Sequence, residues 1–197
     1  MKRLLAGAGI FWLLFSSGPA SAAIPLDSIQ ANVNRVLEVL RDPKLAAQSA
    51  KESKKAKLRT IYDDMFNKIE LSRRTLARNW NNLNPAQRQE FVQLFQQVLE
   101  KAYIDKILSY TNEKIVFDKE IILSENQVEV QSKVITASKV IPISYRLILA
   151  EKSWKVYDVV VENVSLIQNY RTQFNEILAK NTPEQLLEIL RKKVNEQ

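Results

Sequence analysis

KIVFDKEIILSENQVEVQSKVITASKVIPISYRLILAEKSWKVYDVVV, residues 114–161, is the stretch that decides the fold. Its apolar residues recur at every second position. Ile115 and Phe117 begin a strand that runs to about Leu123, and Val128, Val130 and Val134 alternate with Glu129, Gln131 and Lys133 in a second. Ile141, Ile143, Tyr145, Leu147 and Leu149 make one apolar face of a third, opposite Pro142, Ser144 and Arg146. Trp154 to Val161 is a fourth, apolar on both faces apart from Lys155 and Asp158. A period of two is that of a strand whose alternate side chains are buried. The short polar links Ser124-Glu125-Asn126, Ala137-Ser138-Lys139 and Glu151-Lys152-Ser153 predict consecutive antiparallel hairpins. None of these turns contains glycine, so Asn126 is the residue expected at positive φ.

On either side of this meander the period becomes helical. Upstream, Leu26, Ile29, Val33, Val36, Leu37 and Leu40 share one helical stripe that Asp42-Pro43 ends. Residues 51–59 are dense in charge and read as the solvated face of a second helix, with buried residues expected at Ile61, Met65, Phe66 and Ile69. Asn84-Pro85 with Gln87 starts a long helix with Phe91, Leu94, Phe95, Val98 and Ala102 on one stripe. Downstream, Ser165 with Gln168, and Thr182-Pro183 with Gln185, each mark a helix start. Helices, a four-stranded meander and two further helices predict an α+β fold. Its sheet would be one curved antiparallel layer with helices over its apolar face.

The N-terminal residues have the pattern of a secretory leader. Met1-Lys2-Arg3 is cationic, an apolar run extends from Leu4 to about Phe15, and Ala20-Ser21-Ala22 offers small residues for cleavage. The run is shorter than the about 20 residues that span a bilayer. The expectation is a cleaved signal peptide over residues 1–22, a single domain over residues 23–197, and a periplasmic location. With no cysteine in the chain, neither a disulfide nor an acyl anchor is available.

Composition narrows the chemistry. There is no histidine, which removes the usual neutral-pH general base and the commonest metal ligand. All three glycines (Gly7, Gly9, Gly18) precede residue 23, which removes glycine-rich phosphate loops, dinucleotide fingerprints and nucleophile elbows from the rest. A chain that is not an enzyme, without metal or cofactor, is expected. The net charge of +7 falls to about +5 without Lys2 and Arg3. That excess suits an anionic lipid surface, or simply solubility, and a nucleic-acid partner is not expected.

Two stretches resemble a known family. LSRRTLARNWNNLNPAQRQEFVQLFQQVLEKAYIDKILSY (71–110), and IPISYRL followed by WKVYDVVVENVSLIQNYRTQFNEIL (141–147 and 154–178), are similar to MlaC, the periplasmic phospholipid carriers also called toluene-tolerance proteins. The chain departs from the family at Ala77, Ser153 and Asn163, where glycine is frequent, and at Ser144, where aspartate is. The resemblance implies a carrier that holds acyl tails in a cavity between sheet and helices. It would shuttle phospholipid between an outer-membrane lipoprotein complex and an inner-membrane ABC transporter bearing a ring of MCE domains, and so maintain outer-membrane lipid asymmetry. Phospholipid is then cargo.

On that reading, Ile141, Ile143, Tyr145, Leu147, Trp154, Val156 and Val160 are expected to floor the cavity. Trp80, Phe95, Leu99, Val164, Ile167, Tyr170 and Phe174 would roof it, with Val164 the foremost lining residue. Arg171 is a candidate for the phosphate, which its guanidinium can fork, or else a partner for Asp158. Periodicity alone does not separate a cavity wall from ordinary core. Two other functions fit the residues: an envelope adaptor or chaperone for apolar segments, and a cone-shaped isomerase pairing Asp158 with Tyr145 or Tyr157.

Overall fold

Proline at a first helical position loses nothing by lacking an N–H, and it starts α1 (Pro25–Arg41), α4 (Pro85–Leu108) and α6 (Pro183–Asn195). The computed structural model describes residues 24–110 and 112–196, so the expected leader lies outside the described residues. Asn84 with Gln87, and Thr182 with Gln185, form the reciprocal caps that the sequence implied. α2 (Lys51–Met65) carries the basic run on its exposed side and buries Leu58, Ile61 and Met65. It ends there, and Ile69, expected inside, stands exposed on α3 (Lys68–Leu76). In α5 (Leu166–Leu178) the Ser165 hydroxyl accepts from the Gln168 N–H, while the Gln168 side chain turns to Arg171 instead of reaching back. No helix among the described residues is long and apolar enough to cross a membrane.

The sheet is antiparallel, in the order β1 (Lys114–Ser124), β2 (Gln127–Ile135), β3 (Val140–Ala150), β4 (Ser153–Val161) and β5 (Val164–Ser165). Four of these strands match the sequence reading. The fifth is two residues long and exists because Glu162-Asn163 folds the chain straight back, pairing Val164 with Val161 and Ser165 with Val160. Asn126 is not at positive φ. Within the sheet those positions are Glu151 and Lys152 (49° and 67°) and Glu162 and Asn163 (50° and 68°), each pair a two-residue hairpin turn. At the first hairpin a register shift between Ile122 and Ser124 takes up the twist instead.

Register fixes which side chains share a face. Val128, Val130, Ser132 and Val134 lie beside Ile141, Ile143, Tyr145 and Leu147, and these beside Val156, Val159, Val161 and Val164; this is the inner face. Arg146 pairs with Asp158 and Leu147 with Val156, so Tyr157 is an inserted residue. The insertion sends Tyr157 to the outer face, where its hydroxyl donates to Gln127 Oε1 at 3.0 Å. Helices therefore cover both faces, not the apolar face alone. α1 and the end of α2 put Ile29, Val33 and Met65 on the inner face. α3 to α6 build a separate core around Phe91, Phe95, Phe174 and Leu186 that meets the sheet at Tyr157 and Ile148. Phe66 touches both cores, and the Asn67 N–H donates to the Val156 carbonyl at 2.8 Å, covering the β4 edge beyond β5.

Candidate functional site

Burial along the inner face runs in cross-strand rows. Val128, Leu147 and Val156 are sealed beneath α1 and α2. In the next row Val130 is buried, but Tyr145 and Val159 are only half-buried. The third row, Phe117, Ser132, Ile143, Val161 and Val164, opens toward β5, where Val161 is 38% and Val164 60% exposed. Ile115, Val134 and Ile141 form a fourth, half-buried row. The covered end of the face is packed core. The other end is a continuous apolar surface that no helix among the described residues seals.

Within the open rows the polar side chains are self-contained. Ser132, 2% exposed, donates to the Ile143 carbonyl at 3.1 Å. Burial pushes the Tyr145 phenol up to about 12, and a hydrogen bond with Ser132 pulls weakly the other way. At the edge Glu120 accepts from the Leu26 N–H and so holds the start of α1 on β1. A neutral phenol, one bonded hydroxyl and branched alkyl groups, bordered by the Glu120 carboxylate that the Leu26 N–H engages, form a surface suited to hydrocarbon. Among the described residues no cluster of acidic side chains is placed to hold a metal ion.

The residues expected to line one cavity divide into three groups. Phe95, Leu99, Ile167, Tyr170 and Phe174 belong to the helical core. There Phe95 meets Tyr170 at 5.0 Å and Phe174 at 5.4 Å, edge to face, and Trp80 packs on the rim. Leu147, Val156 and Trp154 belong to the covered end of the inner face. Ile141, Ile143, Tyr145 and Val164 do share the open rows. Val160 does not. Alternation from Trp154 and Val156 points to it, but the insertion at Tyr157 shifts the phase so that Val159 and Val161 face inward. Sequence reading missed those two, and with them Phe117 and Val134. Alternation along β4 carries no signal of this slip, which only the pairing with β3 reveals.

The polar residues singled out from sequence do structural work. Asp158, 2% exposed, accepts from the Ile167 N–H at 3.1 Å, the Ser165 hydroxyl at 2.7 Å and Arg146 Nη1 at 3.2 Å. Arg146 Nε also donates to Glu129 at 3.0 Å. Although burial raises the Glu129 pKa, hydrogen bonds from Gln131 and Arg146 leave it below the usual carboxylate range. Asp158 is thus the pin between β4 and α5. It lies on the face opposite Tyr145, so these two cannot form an acid–base pair. Tyr157 is engaged by Gln127 and lies under the Arg74 guanidinium at 4.0 Å. Arg171 pairs with no carboxylate: Nε and Nη2 donate to the Arg74 carbonyl at 3.1 and 2.6 Å, satisfying the C-terminal turn of α3. Both donors are thus held by backbone in this structure.

The family model described as MlaC protein matches residues 30–192, most of the chain. The chain belongs to the MlaC family. Over 112 residues it is 28% identical to the intermembrane phospholipid transport system binding protein MlaC of Haemophilus influenzae, covering 54% of this chain and 52% of that protein. The chain thus spans about half the length of that curated relative. A solved phospholipid-binding protein from Ralstonia solanacearum, in complex with a phospholipid, superposes with a TM-score of 0.77 at 20% identity. The match covers 88% of this chain and 98% of that one, so the two share a fold.

Proposed function

We propose that this MlaC-family protein is a periplasmic phospholipid carrier that holds acyl chains against the open rows of its inner sheet face. It would pass them between an outer-membrane lipoprotein complex and an inner-membrane ABC transporter with an MCE-domain ring. The observation that carries this reading is the unsealed apolar surface from Phe117 through Ile143 to Val161 and Val164. Contiguous apolar surface on a folded chain marks a binding site. The H. influenzae relative is named for phospholipid transport and the R. solanacearum protein holds a phospholipid, which supports the choice of ligand.

The physical role follows from hydrocarbon in water. A diacyl lipid exposes on the order of 30 methylenes, each worth about 0.8 kcal/mol, so crossing an aqueous gap unassisted is opposed by roughly 20 kcal/mol. An apolar protein surface replaces the bilayer interior group for group, and transfer then sits near balance without fuel. Native mass spectrometry of protein purified from bacteria without detergent tests the proposal. Mass increments that extract into organic solvent as phospholipid are expected. Protein at its bare mass, unchanged after incubation with phospholipid vesicles, would refute it.

A further inference from the structure

Beside the open rows, two fixed turns bring opposite charges together. In the link between β2 and β3, Thr136 Oγ1 accepts from the Lys139 N–H at 3.0 Å and the Ser138 N–H at 3.3 Å, while the Thr136 N–H donates to the Lys139 carbonyl at 2.9 Å. In the link between β4 and β5, the Glu162 N–H donates to the Pro142 carbonyl at 3.0 Å. From these two backbones Lys139 Nζ and Glu162 Oε1 approach to 3.6 Å, with more than half of each side chain exposed. An exposed pair at that distance adds little to stability. Its position is the notable feature: Glu162 directly follows Val161 and is two residues from Val164, the most open part of the apolar face.

We propose that Lys139 and Glu162 read the head group, Lys139 taking the phosphate and Glu162 the ammonium of a zwitterionic phospholipid. The assignment rests on the carrier reading above. An aminoethyl phosphate carries an anion and a primary ammonium two carbons apart, so it presents the reverse of this pair and can exchange partners with it. A primary ammonium has N–H donors and a full charge to give a carboxylate; a glycerol head has no cation to offer. Of the neighbouring lysines, Lys133 is engaged by Asp118 at 2.7 Å, and Lys114, opposite Ile135, lies one strand further from Glu162. The pair therefore discriminates among lipids that share the same tails.

The test uses the whole protein and vesicles of equal parts phosphatidylethanolamine and phosphatidylglycerol with identical acyl chains. After incubation the protein is separated and its lipid extracted and counted. Wild type is expected to hold the ethanolamine lipid in about threefold excess, the scale of one exposed ion pair. Glu162→Gln should bring the ratio close to one, and Lys139→Gln should lower uptake of both lipids alike and keep the excess. A wild-type ratio equal to that of the vesicles, or a Glu162→Gln ratio equal to wild type, would overturn the assignment while leaving the carrier intact. No lipid uptake by wild type would overturn the carrier itself.

Discussion

Ala77 ends α3 with φ 50° and ψ −122°, a backbone conformation that glycine adopts freely and a Cβ resists. Its N–H still donates to the Arg73 carbonyl, and it is here that the chain leaves α3 for the tight turns of residues Ala77–Asn82. Holding a non-glycine residue in such a region costs about 1–3 kcal/mol. Ala77→Gly removes that strain, but it also loosens the unfolded chain, which offsets about 0.4–1 kcal/mol. The expected net gain is roughly 1–2 kcal/mol, or a rise in Tm of about 2–8 °C for a domain of this size. Urea unfolding followed by circular dichroism measures it, with an unchanged m-value required. Ala102→Gly, at an exposed position inside α4, is the matched control and should lose about 1 kcal/mol. If Ala77→Gly is destabilising to the same degree as the control, the strain argument is wrong.

Val164→Glu should fold as wild type, since the side chain is already open to solvent, yet lose bound lipid, because a carboxylate against hydrocarbon costs several kcal/mol; lipid extraction checks it. Asp158→Asn should lower stability by about 2–4 kcal/mol, as Arg146 loses its buried counter-charge and α5 loses part of its anchor; urea midpoints report this. The hydrogen bond from Arg73 and its charge hold the Glu70 carboxyl below its ordinary value of 4.5. The bond's contribution is present above that value and disappears as the pH falls through the lowered one, so acid should narrow the stability gap between wild type and Glu70→Gln. With its phenol pushed up to about 12, Tyr145 should contribute no phenolate near pH 10 to the absorbance difference between wild type and Tyr145→Phe, and ionisation there would show that its hydroxyl is open to water.

What could be read from the chain was whatever depends on neighbours in sequence. The caps at Asn84 and Thr182, the four long strands and the exposed side of α2 follow from spacing alone. What could not be read depends on pairing. A single inserted residue, Tyr157, decides that Val159 and Val161 face the open rows in place of Val160, and alternation gives no warning of it. Likewise, Phe95, Tyr170 and Phe174 are as apolar as a cavity roof must be, and nothing local says they interlock into solid core. Arg171 looked available because its acceptor, the Arg74 carbonyl, belongs to backbone 97 residues away. The glycine departures noted from the family resemblance were informative: Ala77 and Asn163 do occupy positive-φ positions, whereas at the β3–β4 turn those positions are Glu151 and Lys152, not Ser153.

The two cores also explain how a small domain can leave part of a sheet unsealed. Native stability is a small difference between large terms, so an open apolar face must be offset elsewhere. Here the offset is on the other side of the sheet, where Phe91, Leu76, Leu186 and Leu187 are fully enclosed and Asp158 ties β4 to α5. Val128, Val130, Leu147 and Val156 seat α1 and α2 as enclosed core, whereas Ile115, Phe117, Tyr145 and Val159 toward the open end are only partly buried against them. Substitutions on the two sides should therefore separate. Asp158→Asn acts on the fold without touching the inner face, and Val164→Glu acts on the inner face without weakening the fold. If instead Val164→Glu lost stability as steeply as Asp158→Asn, the open rows would be load-carrying core and not a surface kept for a guest.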